Sequence, residues 1–252
     1  MIKRKSREEI DIMREAGRVV AGAHKAVEEA IRPGLTTLDL EKIALDFMVN
    51  AGGESAFKNY RGFPGYICTS VNEEIVHGIP SKRRLAEGDV VSVDIGVRFK
   101  GYIGDMAVTY PVGQISEDAQ RLLDACRISL EQGIEKVHPD HHLSDVSRAI
   151  QSYAEGQGYS VVREYTGHGV GREMHEDPQV PNYVNGGWGF DPKLKPGLVI
   201  AIEPMVNCGT HETDRIVRQG WDVVITRDRK LSAHFEHTVA VTEEGHEVLT
   251  QL

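Results

Sequence analysis

The sequence states one pattern twice. A helix-forming stretch over residues 7–31 leads to Pro33-Gly34, then to a second helical stretch that stops at Gly52-Gly53. The same order returns as residues 118–137, Pro139, residues 144–155 and Gly158. Ile31 and Val137, Pro33 and Pro139, Asp39 and Asp145, and Gly52 and Gly158 are each 106 positions apart. Both copies then turn to strands. Leu85-x-x-Gly88-x-Val90-x-x-Val93-Asp94 corresponds to Leu194-x-x-Gly197-x-Val199-x-x-Ile202-Glu203, Asp105-x-x-Val108 to Glu236-x-x-Val239, and His77-x-x-Pro80 to His175-x-x-Pro178. Two long copies are too few for a solenoid. They predict an α+β protein in which helix–helix–strands units, roughly 1–115 and 116–252, are related by a pseudo-twofold axis around a shared site. Because both copies contribute to it, residues 1–252 are read as a single domain.

Within the first copy, Ile10, Met13, Ala16, Val20, Ala23, Val27 and Ile31 recur at the helical period. The second helix is expected to open on Thr37 as N-cap and to bury Leu40, Ile43, Ala44 and Phe47. From about residue 64 to 112 the chain is rich in Val, Ile, Tyr and Thr, as strands require.

The matched positions include acids in apolar, strand-like surroundings: Val-Val-Ser-Val-Asp94-Ile-Gly, Gly-Asp105-Met-Ala-Val-Thr, Val-Ile-Ala-Ile-Glu203-Pro-Met and Phe-Glu236-His-Thr-Val-Ala-Val. A lone buried carboxylate costs several kcal/mol unless paired or bound to a cation. A turn centred on Phe99-Lys100 would set Asp94 directly across from Asp105, where like charges repel. The symmetry would set Asp94 against Glu203 and Asp105 against Glu236. His168 joins them from the glycine-rich run Gly-His168-Gly-Val-Gly, which lacks the spacing and following helix of a dinucleotide-binding loop. Four carboxylates and one imidazole form a hard donor set. Two divalent ions, Mn, Fe, Co or Zn, would balance the charge and leave room for a bridging hydroxide. Without His-Glu-x-x-His, the usual mononuclear zinc protease helix is excluded.

The net charge of -9 argues against a nucleic-acid surface, and the short basic runs at Lys3-Arg4-Lys5 and Lys82-Arg83-Arg84 read as solvated surface. The basic start has no apolar run behind it, so no cleaved leader is expected, and no stretch approaches a membrane span. Cys68, Cys126 and Cys208 form no Cys-x-x-Cys pair, which fits a reducing, cytoplasmic setting.

Together, Asn72-Glu-Glu-Ile-Val-His77-Gly-Ile-Pro80, Asp94-Ile-Gly with Asp105, Gly167-His-Gly-Val-Gly171 through His175-Glu-Asp-Pro-Gln-Val-Pro-Asn-Tyr183, Ile202-Glu-Pro-Met205 and Ser232-Ala-His-Phe-Glu-His-Thr238 resemble the type I methionine aminopeptidases over essentially the full chain. The resemblance implies a pita-bread fold, with the duplicated units around a curved antiparallel sheet, and a single catalytic domain. It implies removal of the initiator methionine from nascent polypeptides, with small second residues preferred, by attack of a metal-bridging hydroxide on the first peptide bond. By the same resemblance Asp94 and Asp105 ligate one metal, His168 and Glu203 complete the second, and Asp105 and Glu236 bridge the two. Glu203 would also shuttle the proton, His175 would stabilise the tetrahedral intermediate and His77 would contact the scissile amide. Phe57, Tyr60, Phe63, Cys68, Met174 and Trp221 match the methionine pocket, with His77 and His175 also touching substrate.

The implied cofactors are two divalent ions from Co, Mn, Fe, Zn or Ni, and a structural monovalent cation is left open. The implied partners are nascent N-termini, with transient ribosome contact compatible and neither DNA nor membrane; a monomer is expected. Phe57 stands where a cysteine is frequent, Met174 where an aromatic is frequent and Arg61 where a histidine is frequent, so the pocket's shape departs from the commonest pattern. The Met1-Ile2 start has a large second residue and is expected to keep its methionine. Only 28 positions separate His175 from Glu203, too few for the helical insertion of type II enzymes, and a zinc-finger-like extension before the first helix is not expected. A proline-specific aminopeptidase of the same fold is the alternative, and a metal-free relative resembling creatinase would be expected to have lost ligands.

Overall fold

In a computed structural model, residues 2–184 and 191–252 are described, so Met1 and its retention lie outside them. Helix α1 (Arg7–Ala30) starts with a reciprocal cap, Ser6 accepting from the Glu9 amide and Glu9 from the Ser6 amide. Its buried face carries Met13, Ala16, Val20, Ala23 and Val27. Helix α2 (Thr37–Asn50) is capped by Thr36, one residue earlier than the sequence suggests, because Asp39 is spaced to close the reciprocal cap on Thr36. It buries Leu40, Ala44 and Met48, whereas Phe47 is 37% exposed, a correction to its expected burial.

Helices α3 (Glu117–Ile134) and α4 (Leu143–Gly156) repeat the pair. The Asp145 carboxylate accepts from the His142 amide at 2.9 Å as Asp39 does from Thr36 at 2.8 Å. Isolated bridges Thr36–Arg84 and His142–Lys193 tie each second helix to the loop before its next strand. Gly52 and Gly158 stop α2 and α4 with φ of +78° and +86°, a conformation costly to any side chain. The duplication read in the sequence is therefore carried into backbone detail.

Among the described residues, nine strands form one antiparallel sheet. Its path runs Glu54–Ser55, Val90–Phe99, Tyr102–Pro111, Glu236–Val241, Val199–Ile202, Gly167–Gly169 and Glu176–Val180, with Cys68–Val71 paired to the second and His246–Val248 to the fourth. The centre of this path holds two strands from each copy. The copies meet where Glu236 pairs with Ala107 and His237 with Met106.

One face of the sheet is covered by helices. Val91, Val93, Ile95 and Val97 pack with Val20, Leu40 and Met48 of α1 and α2. Ile200, Ile202, Val239 and Val241 pack with Leu122, Leu130 and Ile150 of α3 and α4. Each fully buried aliphatic side chain contributes about 1.5–3 kcal/mol. That strong preference fixes register, and strand alternation then turns Asp94, Asp105 and Glu236 to the opposite face.

The hairpin differs from expectation. Phe99 pairs with Tyr102, so the turn is Lys100-Gly101, with φ of +48° and +82° at its two corners. Two positive φ values give the turn whose twist matches the strands. Asp94 therefore lies opposite Ala107 and Asp105 opposite Gly96, so the two acids are diagonal neighbours on one face, farther apart than a direct pair. No helix among the described residues is long and apolar enough to cross a membrane.

Candidate metal centre

Four backbone elements deliver the acids. Asp94 and Asp105 sit within the paired strands Val90–Phe99 and Tyr102–Pro111, Glu236 heads its strand, and Glu203 follows Val199–Ile202. The seam between the copies is pinned beside Asp105. Thr238 accepts from the Asp105 amide at 3.0 Å and donates to its carbonyl at 2.9 Å. Asn182 donates to the Glu203 carbonyl at 3.0 Å. His168 pairs with Ala201 in the neighbouring strand, and its Nδ1 lies 2.9 Å from the Gly169 carbonyl. A carbonyl only accepts, so Nδ1 holds the proton and the Nε2 lone pair is free. That Nε2 is 3.6 Å from Asp105 Oδ2 and 3.5 Å from Glu203 Oε1.

Burial sets the electrostatics of this cluster. It pushes Asp94 up to about 7 and Glu203 up to about 8. Asp105 and Glu236 are also raised well above the usual carboxylate range, first by burial and then by the neighbouring carboxylates. Burial holds His168 down at about 3, with His175 adding to the shift, so the imidazole is neutral and brings no positive charge. Asp94 Oδ1, Asp105 Oδ1 and Glu236 Oε1 are buried with no hydrogen-bond partner among the described residues. Buried polar atoms are almost always satisfied. Three orphaned carboxylate oxygens beside a neutral imidazole fit divalent cations and fit little else. The ligand atoms of Asp105, His168 and Glu236 lie within 4.8 Å of one another, and so do those of Glu203, His234 and Glu236.

Asp94, Asp105, His168, Glu203 and Glu236 floor a cavity of about 170 Å³. Phe57, Tyr60, Phe63, Cys68, Met174 and Trp221 form its walls, with His77, His175 and Arg61 on its lining. The structure thus brings every site residue expected from the sequence to one cavity. Phe63 meets Trp221 edge to face at 5.2 Å. Phe57, the bulky departure, fits because a Cβ on Gly96 would lie only 2.6 Å from its ring. His77 takes φ +64° and packs its ring against Trp221 and Tyr165. Burial lowers His77 to about 4, and burial with the Arg61 charge lowers His175 to about 4, so both are neutral near pH 7. The Tyr60 hydroxyl lies 2.9 Å from His175 Nδ1. Burial, then the Asp94 charge, pushes the Cys68 thiol up, leaving it an apolar wall element.

A second buried acid supports the cavity from behind. Glu74 opens the strand Glu74–Val76, which leads directly to His77. That strand pairs with Trp221–Thr226, which carries Trp221. Glu74 accepts from the Val71 amide and from Arg83, both at 3.0 Å, and pairs with Arg218.

Sequence reasoning missed His234. It is 1% exposed, and its Nε2 is 3.5 Å from Glu203 Oε2. The signal was present two positions before Glu236, the spacing that puts alternate residues on one face. It was masked because His234 belongs to a separate strand, Ser232–His234, paired with Met205–Asn207.

A family model described as metallopeptidase family M24 matches residues 11–243. Methionine aminopeptidase 1 of Bacillus subtilis is 50% identical over 252 residues, covering 100% of each chain. Among solved structures, a methionine aminopeptidase from Rickettsia prowazekii superposes with a TM-score of 0.95 at 40% identity, over 99% of this chain and 100% of that one. One from Thermotoga maritima gives 0.94 at 44% identity, over 100% of both chains. The shared architecture is the pita-bread fold.

Proposed function

The chain belongs to metallopeptidase family M24, and from that premise we propose that it is a methionyl aminopeptidase, removing the initiator methionine from nascent polypeptides. It acts as a single catalytic domain and a monomer, in the cytoplasm, with passing contact at the ribosome. The observation that carries this reading is the convergence of four carboxylates and a neutral imidazole, three of the acids with an orphaned oxygen, at the base of an apolar cavity.

Asp94, Asp105, His168, Glu203 and Glu236 would hold two divalent ions. When bound, such ions supply water of lowered pKa and polarise the scissile carbonyl. Glu203, buried and pushed up to about 8, is suited to take a proton from water and pass it to the departing amine. The neutral His175, with Nδ1 engaged by the Tyr60 hydroxyl, keeps Nε2 to donate to the carbonyl oxygen as negative charge develops there. His77 contacts the scissile amide from its packed position against Trp221. Phe57, Phe63, Cys68, Met174 and Trp221 enclose the methionine side chain, Met174 adding an adaptable surface. Small residues after the scissile bond are preferred, as the sequence resemblance implies.

The test begins with protein stripped by chelator and reloaded with Mn²⁺ or Co²⁺. Methionine should be released from Met-Ala-Ser. No release with any divalent metal would defeat the enzyme reading. Release of the first residue from X-Pro peptides, with none from Met-Ala-Ser, would favour a proline-specific aminopeptidase instead.

A further inference from the structure

Lys5 departs from the solvated surface expected of its basic run. It is 9% exposed. Its Nζ meets Glu176 Oε2 at 2.9 Å across 171 positions, with both side chains 5% exposed. Glu176 directly follows His175 and opens the strand Glu176–Val180. We propose that Lys5 is a positioning residue for the reaction, holding through Glu176 the turn that presents His175 to the cavity. This rests on the aminopeptidase reading above and deepens it.

Both oxygens of Glu176 are committed. Oε1 accepts from the amides of Arg172 and Glu173 at 3.1 and 3.3 Å, which closes the turn on itself. Oε2 goes to Lys5, which ties the closed turn to the rest of the protein. Lys5 is bound to the sheet in its turn. Its amide donates to the Gly197 carbonyl at 2.6 Å, and the Gly197 amide donates to the Val241 carbonyl at 2.9 Å. Val241 ends the strand that Glu236 begins. The segment before α1 therefore splints the strand of a metal-site acid to the turn of His175. The fit is close: a Cβ on Gly171 would lie 2.7 Å from both Glu176 Oε1 and Lys5 Cε, and one on Gly197 would lie 2.7 Å from the Lys5 carbonyl oxygen.

The physical chemistry of the pair favours placement as its role. A buried ion pair returns little net stability because both charges have left water, yet it demands one geometry. The start of the turn is held separately, by the Ile103 amide on the Gly171 carbonyl and by Arg98 on the Arg172 carbonyl. Without Lys5 the end beside His175 loses its side-chain tie while the start keeps its own. His175 has to meet an oxygen on which charge develops, and a misplacement of about 1 Å can cost about 10²-fold in rate.

Lys5→Met keeps the length of the stem and removes the charge. Its kcat for Met-Ala-Ser should fall about 10- to 100-fold, with KM within about threefold and metal content unchanged. In a His175→Ala background the same change should cost less than about threefold, because its effect passes through His175. Equal costs in the two backgrounds would make Lys5 a structural residue alone and overturn the proposal. If the variant does not fold for want of a partner to Glu176, Lys5→Met with Glu176→Gln buries no lone charge and keeps an oxygen for the two amides. Its kcat should still fall about tenfold or more, and wild-type kcat in it would overturn the proposal. A wild type that releases no methionine would overturn both readings. Equal release by the wild type and these variants would overturn this one and leave the aminopeptidase reading standing.

Discussion

Glu74 and the Asp94–Asp105–Glu203–Glu236 quartet are both buried acids, yet the protein treats them in opposite ways. Glu74, with a side chain 1% exposed, is met by two arginines and a backbone amide. The quartet lies nearby with no arginine or lysine ion-paired to it among the described residues, and three of its oxygens lack any partner. Glu74 shows that this chain can neutralise a buried carboxylate with its own cations. Its failure to do so for four neighbouring acids marks them as reserved for an external charge. Burial alone does not signal a site; burial without compensation does.

The sharpest way to break that contrast is to neutralise one acid in each region. Glu203→Gln should lower turnover by about 10³-fold or more while the fold survives. Glu74→Gln should leave kcat within about threefold, as it lies behind the cavity wall. Undiminished activity in Glu203→Gln would remove Glu203 from proton transfer. Loss of turnover in Glu74→Gln at unchanged Tm would erase the distinction between the regions.

A second test uses pH on the metal-free protein. Folded-state values of about 7 for Asp94 and about 8 for Glu203 lie above the ordinary 3.8 and 4.5. Between those limits the folded protein binds more protons than the unfolded chain, so stability falls as pH rises. The histidines held near 4 oppose this only below about pH 6.5. From pH 6.5 to 8.5 the metal-free Tm should therefore drop by roughly 5 °C or more, and added divalent metal should flatten the slope. A flat metal-free profile would mean that the quartet is already compensated.

The smallest expected effect is at Arg218, which is partly exposed and shares Glu74 with Arg83. Arg218→Met should cost about 1 kcal/mol, or roughly 2–4 °C in Tm, because Arg83 remains. A loss as large as that of Glu74→Gln would show that the two arginines do not act redundantly.

The carboxylates, His168 and the duplicated helices were legible because they are patterns of residue type at fixed spacing, and the apolar strands around Asp94 and Glu203 left those acids conspicuous. The hairpin register was not, because it hangs on positive φ at Lys100, a backbone choice that lysine does not advertise. Phe47 was misplaced on the helical wheel because α2 turns its face toward Met48. His234 was hidden by a strand break, and the Tyr60–His175 contact spans 115 positions that no local pattern connects.

The seam at which Glu236 pairs with Ala107 also bears on how the chain matures. It joins segments far apart in sequence, and such closures are slow because their entropy is lost before any contact repays it. Neither copy can present more than half of the carboxylates alone. The ion therefore has no complete seat until the two copies have docked, and its capture would mark the end of folding rather than guide its beginning. A newly made chain that has not closed the seam would be inert as a peptidase, so the duplication acts as a checkpoint on its own activity.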